Sequence, residues 1–553
     1  MSFSKKLELF LNKDIKFGFR ILILTLSGAL TGLTLAFPKL GFLEWISIIP
    51  AAVILLKRGA DKNIRLRSVY FDGLVFFYGF YLLCYHFFLS MYPLEFIDGM
   101  TKGSATVVVV VSWLGLSLLQ GLMGGCVFLL SAVAFRTNLL QKISWLRIIL
   151  IAAIWSIFEW SQNFGWWGVP WGKLPLGQTE YIVGIQNASW FGSYFLTFVI
   201  VVVNFFFAFA LINITKIKIV RVASLTAISL IAFQYLSGTV IWFSNDIHKG
   251  ETVKIACVQG NISASNKWEA DTLATIEKVY TEQTKAAAEN GAEIVLWPET
   301  AIPYDITVGK YTKFQTDFCA LAKETQTYII VGAYSQTGEG GSYNSLICFT
   351  PEGERLEPIY NKRRLVPFGE FVPMRKVFET LIPPLTEILI ANEDIVAGDG
   401  SNLMDIGGHS VGCLVCFDSI YDGLTLESVR DGAEVICLST NDSWFEGSAA
   451  LGIHNSHAQL RAIESGRYVT RSASTGISTI ISPRGEVLKH IEPDTEGVIV
   501  YDVNFRQNKT LWFYLGNSFI YLCVMICVFL AVHQIVVFIK TKKQKSIDFV
   551  TEL

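Results

Sequence analysis

Long apolar stretches fill the first 245 residues of the chain and return once near its end. A membrane-spanning helix needs about 20 consecutive apolar residues, and about eight stretches approach that length. They lie near residues 21–38, 42–56, 69–91, 105–134, 147–163, 189–213, 219–243 and 512–539. We therefore predict a membrane domain of about seven helices over residues 1–245, a soluble domain over 246–505, and one last helix with a tail over 506–553.

Lysine and arginine are distributed unevenly between the segments that join these helices. The segment before the first helix and those after the second, fourth, sixth and eighth helices are basic, whereas the alternate loops carry only Lys39, Lys102 or Lys173. Cytoplasmic loops are enriched in Lys and Arg. We expect both termini to be cytoplasmic and residues 246–505 to be extracytoplasmic. Phe37-Pro38-Lys39 lacks the small residues of a signal-peptide cleavage site, so we expect the first helix to be retained.

The pattern changes over residues 246–505, where short apolar runs alternate with charged stretches of helical period. Runs of this length with helices between them predict a sheet covered by helices. The predicted strands cover 253–258, 293–297, 328–334, 344–349, 410–416, 434–439 and 477–481, and the predicted helices 269–290, 312–325 and 449–465. Residues 367–400 are rich in Pro and Gly, and a long irregular segment of this kind is typical of a lid or binding loop.

Composition narrows the class of protein. The chain of 553 residues is 52% hydrophobic and only 17% charged, which excludes a disordered chain, a coiled coil and an ordinary soluble enzyme. Its net charge of −2 gives no basic surface for nucleic acid. Ten cysteines in a chain this long do not indicate a disulfide scaffold.

Three residues that could carry chemistry lie at the ends of predicted strands. They are Glu299 in Trp297-Pro298-Glu299, Lys362 before Arg363 and Arg364, and Cys416 at the end of an apolar run. Each has an ordinary structural explanation, as a helix cap, a solvated basic patch and a core thiol respectively. Together they suggest a thiol nucleophile, a carboxylate base that activates it, and a lysine that stabilises the charge on an attacked carbonyl.

In this order the three passages resemble the Glu-Lys-Cys triad of the nitrilase superfamily. With the membrane frame, the chain resembles the apolipoprotein N-acyltransferase family of bacterial inner-membrane enzymes. The matching segments are Gln259-Gly260-Asn261-Ile262, Trp268, Trp297-Pro298-Glu299, Lys362 to Glu370, Cys416 and Asn441-Asp442-Ser443-Trp444-Phe445. The resemblance implies eight spans and an α/β nitrilase-like αββα sandwich between the seventh and the eighth.

The resemblance also implies a role for each matching residue. Glu299 would be the general base, Lys362 the transition-state stabiliser and Cys416 the nucleophile. Glu370 matches a second active-site glutamate, Trp268 a tryptophan on a mobile lid, and Asn344 an asparagine near the site. Trp444 would support the site. Phe417 and Asp418 replace the usual Tyr-Glu, which puts a hydrogen-bonding role there in doubt.

The implied reaction moves an acyl chain from a phospholipid to Cys416 as a thioester, and then to the α-amine of a diacylglyceryl-modified N-terminal cysteine of a lipoprotein. Such an enzyme works in a ping-pong sequence with a covalent intermediate. Its partners would be the phospholipid donor, the lipoprotein acceptor and the bilayer, with no nucleic acid. No metal or diffusible cofactor is needed.

Other interpretations remain open. The same triad could serve a membrane-tethered amidase for a small soluble amide, although one helix would suffice as a tether. A transporter with an outer binding domain is disfavoured because Glu44, Asp72, His86 and Glu159 are the main ionisable residues of the helices and are scattered.

Two local motifs could also carry function. Cys413 and Cys416 have the spacing of a redox pair, but lie on a predicted strand rather than at a helix start. His454 and His457 could bind a metal from one helix face, but we expect a surface pair, since no cysteine or carboxylate lies near them in sequence.

Overall fold

The computed structural model describes residues 15–94, 100–263, 267, 272–381 and 394–551, without the side chains of 378, 381 and 541–551. The chain forms two compact units. The helical unit comprises Met1–His86, Trp113–Thr239 and Leu515–Leu553, and the α/β unit comprises Phe87–Ser112 and Val240–Tyr514. Trp268 lies outside the described residues.

Long apolar helices occupy most of the predicted spans. The main ones are α1 (Phe17–Ala36), α2 (Ile49–Arg58), α3 (Leu66–Cys84), α4 (Lys102–Phe135), α5 (Leu146–Ser161), α6 (Ser193–Ile212), α7 (Ile217–Ser244) and, at the end of the chain, a helix over Ser518–Thr551. Among the described residues, 6 helices are long and apolar enough to cross a membrane, with α2 extended back to Pro38. The two others are α5, which has 16 residues, and α3, which carries Arg67 and Asp72. The membrane helices are therefore confirmed, and a count of eight stays a prediction.

The acidic residues of the helical unit have local partners. Asp72 of α3 pairs with Arg20 at 2.8 Å and with Arg58 at 2.7 Å. Glu159 of α5 accepts hydrogen bonds from the Thr197 hydroxyl at 2.5 Å and the Leu174 N–H at 3.2 Å. Buried charges in an apolar unit need such partners because an unpaired charge is costly there. These contacts account for both residues as links between segments of the unit.

The α/β unit contains two sheets. The strands are β1 (Glu251–Gln259), β2 (Ile294–Leu296), β3 (Ile302–Asp305), β4 (Tyr328–Gln336), β5 (Ser342–Phe349), β6 (Tyr360–Asn361), β7 (Met404–Ile406), β8 (His409–Val415), β9 (Val435–Thr440), β10 (Val469–Ala473), β11 (Ser478–Ile481), β12 (Val487–Ile491) and β13 (Gly497–Phe505). One sheet has the order β13-β1-β2-β4-β5-β6, with β3 on β4, and the other has the order β12-β11-β10-β9-β8-β7.

Both faces of the central strands are buried, which is why these strands read as continuous apolar runs. In β1, Ile255 and Cys257 join the core between the two sheets, where Cys413 and Val415 of β8 also lie. Ala256 and Val258 face the other way, into a second core. That core is closed by α8 (Leu273–Glu289) and α9 (Lys313–Thr325).

Two more helices, α10 (Asp422–Asp431) and α11 (Ala449–Ser465), pack on the second sheet, against β8 and β10 respectively. Each sheet therefore has helices on its outer face. The predicted αββα sandwich is confirmed, and α11 begins and ends as predicted.

Candidate active site

The three candidate residues each follow a strand of the α/β unit. Glu299 comes three residues after β2, Lys362 directly after β6, and Cys416 directly after β8. The Trp297-Pro298-Glu299 turn packs tightly on β4, where a Cβ at Gly332 would lie 2.1 Å from the Pro298 carbonyl oxygen. The Ser439 hydroxyl of β9 donates to the Trp297 carbonyl at 2.7 Å. The turn that carries Glu299 is therefore fixed to both sheets.

Glu299 and Lys362 form a buried ion pair that includes a second carboxylate. The Lys362 Nζ lies 2.9 Å from Glu299 Oε1 and 3.0 Å from Glu370 Oε1. The side-chain amide of Asn344 donates to the same two oxygens, at 2.8 and 2.9 Å. Burial alone would lower the pKa of Lys362, but the charges of Glu299 and Glu370 hold it well above its usual range. The lysine is therefore an ammonium with two carboxylates at one end.

The second carboxylate oxygen of Glu299 has a different environment. Oε2 accepts a hydrogen bond from the Asn441 backbone N–H at 2.8 Å. The ammonium of Lys267 lies on the backbone side, 3.0 Å from the Glu299 carbonyl oxygen and 2.6 Å from Thr300 Oγ1. Burial lowers the pKa of Lys267 to about 7, against the charge of Glu299. Backbone and side chain of Glu299 are thus both held, and Oε2 keeps a lone pair for a further donor.

Cys416 lies just beyond β8 on a sharp turn, with a φ of +47°. That left-handed conformation is uncommon for a non-glycine residue and needs support from its surroundings. The side chain is half-buried. Burial and the charge of Glu299 raise the pKa of the Cys416 thiol, while the charge of Lys362 opposes the rise. Cys416 is therefore a thiol at neutral pH, and it would need a base to act as a nucleophile.

Asp418 joins the cysteine turn to the lysine segment. Its Oδ1 accepts from the backbone N–H groups of Arg363 at 3.2 Å and Arg364 at 2.7 Å. Its Oδ2 accepts from the Val415 N–H at 3.1 Å and the Tyr360 hydroxyl at 3.0 Å. Burial raises the pKa of Asp418 to about 6, although the Lys362 charge opposes the rise. Asp418, although one methylene shorter than the glutamate usual in the family, therefore makes hydrogen bonds at the position where the sequence put such a role in doubt.

Two other predicted residues lie nearby in the chain. The Phe417 ring contacts Tyr421 edge-on, with ring centroids 5.5 Å apart. Trp444 lies in the short 3-10 turn Ser443–Phe445 and is half-buried. The redox interpretation of Cys413 gains no support, because all ten cysteines are described and all are free thiols. Cys413 itself is buried in the core between the sheets.

The expectation of a surface histidine pair is wrong. His454 is 3% exposed and His457 is 0% exposed, because α11 is buried on most of its faces. A carboxylate does lie close in space: His454 Nδ1 is 2.9 Å from Asp442 Oδ1. Ligand atoms of Cys416, Asp442 and His454 all lie within 4.8 Å of one another. Arg471 contacts the same carboxylate at 2.5 Å, and its charge disfavours a cation there.

Four residues around Glu299, Lys362 and Cys416 were not predicted as site residues: Lys267, Asn441, Asp442 and His454. Asn441 and Asp442 belong to a segment that matches the family motif, whereas nothing in the sequence singles out Lys267. A buried lysine or histidine looks like a surface residue in sequence, because its partners come from distant segments.

Two protein families match the chain. The family described as carbon-nitrogen hydrolase matches residues 254–509, and the family described as apolipoprotein N-acyltransferase N-terminal domain matches residues 27–206. The chain is 27% identical over 524 residues to an apolipoprotein N-acyltransferase of Geobacter metallireducens, covering 91% of this chain and 93% of that protein. It is 26% identical over 507 residues to an apolipoprotein N-acyltransferase of Gloeobacter violaceus, covering 90% of this chain and 91% of that protein.

Among solved structures, the chain is similar to Saccharomyces cerevisiae Nit3, a member of branch 10 of the nitrilase superfamily. The TM-score is 0.36 at 16% identity, over 48% of this chain and 94% of that one.

Proposed function

Because the chain belongs to the apolipoprotein N-acyltransferase family, we propose that it moves an acyl chain from a phospholipid to the α-amine of the N-terminal diacylglyceryl cysteine of lipoproteins. The observation that carries the chemical part of this proposal is the buried cluster of Glu299, Lys362, Glu370 and Asn344 beside Cys416. It supplies a base, a fixed positive charge and a thiol in one place. The apolar helices of the chain embed the protein in a membrane, where phospholipids that can donate an acyl chain are found.

The hydrogen bonds of Glu299 support its role as the base. Oε1 already accepts from Lys362 and Asn344, whereas Oε2 accepts one hydrogen bond from the described residues, that of the Asn441 N–H. A carboxylate oxygen can accept a second hydrogen bond, so Oε2 is the atom that takes the thiol proton. Because the thiol pKa is raised, proton transfer accompanies attack on the donor.

In the first half-reaction, the Cys416 sulfur bonds to the ester carbonyl carbon of the phospholipid, and Glu299 takes the thiol proton. Lys362 has three N–H donors, of which Glu299 and Glu370 engage two. The third stabilises the oxyanion of the tetrahedral intermediate, with a backbone N–H as a second donor. The carbon–oxygen ester bond then breaks, Glu299 returns its proton to the leaving oxygen, and a lysophospholipid departs from the thioester.

In the second half-reaction, the lipoprotein α-amine attacks the thioester carbonyl. Glu299 takes a proton from the nitrogen, Lys362 again stabilises the oxyanion, and the carbon–sulfur bond breaks. The departing sulfur recovers the proton, so Cys416 returns to its starting state. The products are an amide-linked acyl chain on the lipoprotein and the free enzyme, as a ping-pong sequence requires.

We propose that Glu370 and Asn344 maintain the charge state of the site. Both contact the Glu299–Lys362 pair within 3.0 Å. Glu299 is neutral while it carries the thiol proton. During that step the carboxylate of Glu370 keeps Lys362 protonated. Without Glu370, the ammonium would have no carboxylate partner at that step, and a buried unpaired charge is costly.

The position in the cell is also a proposal. Loops rich in Lys and Arg alternate with loops that have few of these residues. This alternation supports an inner-membrane protein with cytoplasmic termini and residues 246–505 on the periplasmic side. We keep the predicted domain limits, with a membrane domain over residues 1–245, a periplasmic domain over 246–505 and a last helix with its tail over 506–553. A periplasmic site would meet lipoproteins after their export.

The experiment that tests the mechanism weighs the intact protein after incubation with a phospholipid and without a lipoprotein acceptor. The parent should gain the mass of one acyl chain. Cys416→Ser and Glu299→Gln should gain none within the same time, because a hydroxyl is far less acidic than a thiol and an amide cannot take its proton. Cys413→Ser is the matched control and should acylate like the parent, because Cys413 lies in the core between the sheets.

Each other outcome contradicts part of the proposal. An adduct on Cys416→Ser that is lost in Cys413→Ser would move the nucleophile. A parent that releases free fatty acid when an acceptor is supplied, and acylates no amine, would be a hydrolase in which water resolves the thioester, and not an acyltransferase. A parent that gains no mass at all would rule out an acyl-enzyme.

A further inference from the structure

A chain of three buried polar side chains ends at the cysteine turn. Arg471 of β10 donates from Nη2 to Asp442 Oδ2 at 2.5 Å, and His454 Nδ1 lies 2.9 Å from Asp442 Oδ1. None of the three is more than 3% exposed. Although burial raises the pKa of Asp442, the charge of Arg471 and the contact with His454 hold it well below its usual range. Asp442 is therefore a carboxylate that fixes one edge of the imidazole.

The other edge of the His454 ring faces the backbone of the nucleophile. Nε2 lies 3.2 Å from the Cys416 carbonyl oxygen and 3.0 Å from Ser419 Oγ. The Ser419 hydroxyl donates its own proton to the same carbonyl at 2.8 Å. Both neighbours of Nε2 therefore need a hydrogen from the ring, so Nε2 carries one. The Cys416 carbonyl accepts from His454 and from Ser419.

These two donors act on the residue whose backbone needs support. Cys416 has a φ of +47°, and its carbonyl orientation fixes the peptide that follows the nucleophile. A strained conformation persists only where its surroundings hold it. We propose that His454, oriented by Asp442 and Arg471, is a positioning residue that holds the Cys416 turn in its reactive conformation. This role rests on the proposed function of Cys416 as the acylated nucleophile.

The same segment also reaches the base. Asn441, next to Asp442, donates its backbone N–H to Glu299 Oε2 at 2.8 Å. Two adjacent residues thus hold the base directly and the nucleophile through His454. A shift of this segment would change the separation of thiol and carboxylate, and a misplacement of about 1 Å costs about a hundredfold in rate.

Two amide substitutions separate the two edges of the ring. In His454→Gln the terminal amide reaches the place of Nε2 and can donate to the Cys416 carbonyl. In His454→Asn the shorter amide reaches the place of Nδ1 and can donate only to Asp442. Both variants are uncharged and similar in polarity, so they form a matched pair. We measure the rate of acyl-adduct formation on phospholipid by intact mass, over a range of donor concentrations, and thermal unfolding of each variant.

We expect His454→Gln to acylate within about threefold of the parent, and His454→Asn to slow by roughly ten- to a hundredfold with its donor-concentration dependence unchanged. Ser419→Ala removes the second donor to the same carbonyl and should slow acylation by several-fold. It decides the question if either histidine variant does not fold. The positioning role is overturned if His454→Gln acylates slowly while His454→Asn acylates at the parental rate, or if Ser419→Ala acylates at the parental rate. It is also overturned by total loss of the adduct in both amides, because the ring itself would then take the thiol proton.

Failure of the proposed function would look different. A parent without an acyl adduct refutes the acyltransferase mechanism. The positioning role is then read from the rate at which iodoacetamide alkylates Cys416. The same order of parent, His454→Gln and His454→Asn is expected, and equal alkylation rates overturn the role.

Discussion

Lys362→Arg is the substitution that most directly tests the compact positive charge at the site. The Lys362 ammonium lies between two carboxylate oxygens, 2.9 Å from Glu299 and 3.0 Å from Glu370, and the residue is 2% exposed. An ammonium places three donors on one atom, so that two can face the carboxylates and the third can face the oxyanion of the proposed reaction. A guanidinium spreads its donors over a planar fork and does not reproduce that arrangement.

The expected size of the effect follows from these contacts. Arginine can still pair with Glu299 and Glu370, so neither buried carboxylate loses its counter-charge and the variant should fold. The donor to the oxyanion is lost, and removal of one such donor costs about a hundredfold to a thousandfold in rate. Lys362→Met would instead leave both carboxylates unpaired, which typically destabilises a fold by about 3–5 kcal/mol.

The assay compares the rate of acyl-adduct formation with thermal unfolding in the same preparations. Lys362→Arg should unfold near the parental temperature and acylate at least about a hundredfold more slowly. The matched control is Arg363→Lys, the reverse exchange one residue away, where the side chain pairs with the half-exposed Glu427 at 2.9 Å. It should change acylation little. A Lys362→Arg enzyme within about threefold of the parent would mean that Lys362 does not contact the reacting carbonyl.

Three further predictions address other parts of the molecule. Asp418→Asn replaces one acceptor oxygen by a donor that faces donors, so it should lower the unfolding temperature and slow acylation, at about 1–3 kcal/mol for each unsatisfied group; an unchanged unfolding temperature would contradict the joining role of Asp418. Burial lowers the pKa of Lys267 to about 7 in the folded protein, whereas the pKa of a lysine in the unfolded chain is about 10.4. As the pH falls from about 10 to about 7, only the unfolded chain gains a proton, so the parent loses stability and Lys267→Met should gain stability relative to it. A difference in unfolding temperature that stays constant over this pH range would refute the shift. Single cysteines introduced at positions 300–315 should react with a membrane-impermeant thiol reagent once the outer barrier is opened, and reaction only after lysis of the inner membrane would reverse the proposed topology.

Much of the α/β unit could be predicted because its central strands are apolar on both faces. The runs that became β1, β4 and β8 were visible without any alternation. β10 was not predicted, because its residues include Thr470 and Arg471, which are polar and yet fully buried. Arg471 is tolerated there because Asp442 pairs with it at 2.5 Å. A pairing partner 29 residues away cannot be recognised from hydropathy.

The same limit explains why some groups of the site could be predicted from the sequence and others could not. Glu299, Lys362 and Cys416 could be predicted because each is a residue of reactive type at the end of a predicted strand. In Asn441-Asp442-Ser443-Trp444-Phe445 the most distinctive side chain is that of Trp444, which was the residue predicted to support the site. The group that contacts Glu299 is instead the backbone N–H of Asn441, which any residue except proline could supply. Its effect depends on where β9 ends relative to β2, and so on the packing of one sheet against the other. The type of a candidate catalytic residue can therefore be read from the local sequence, whereas the geometry that would make it reactive is a property of the assembled sandwich.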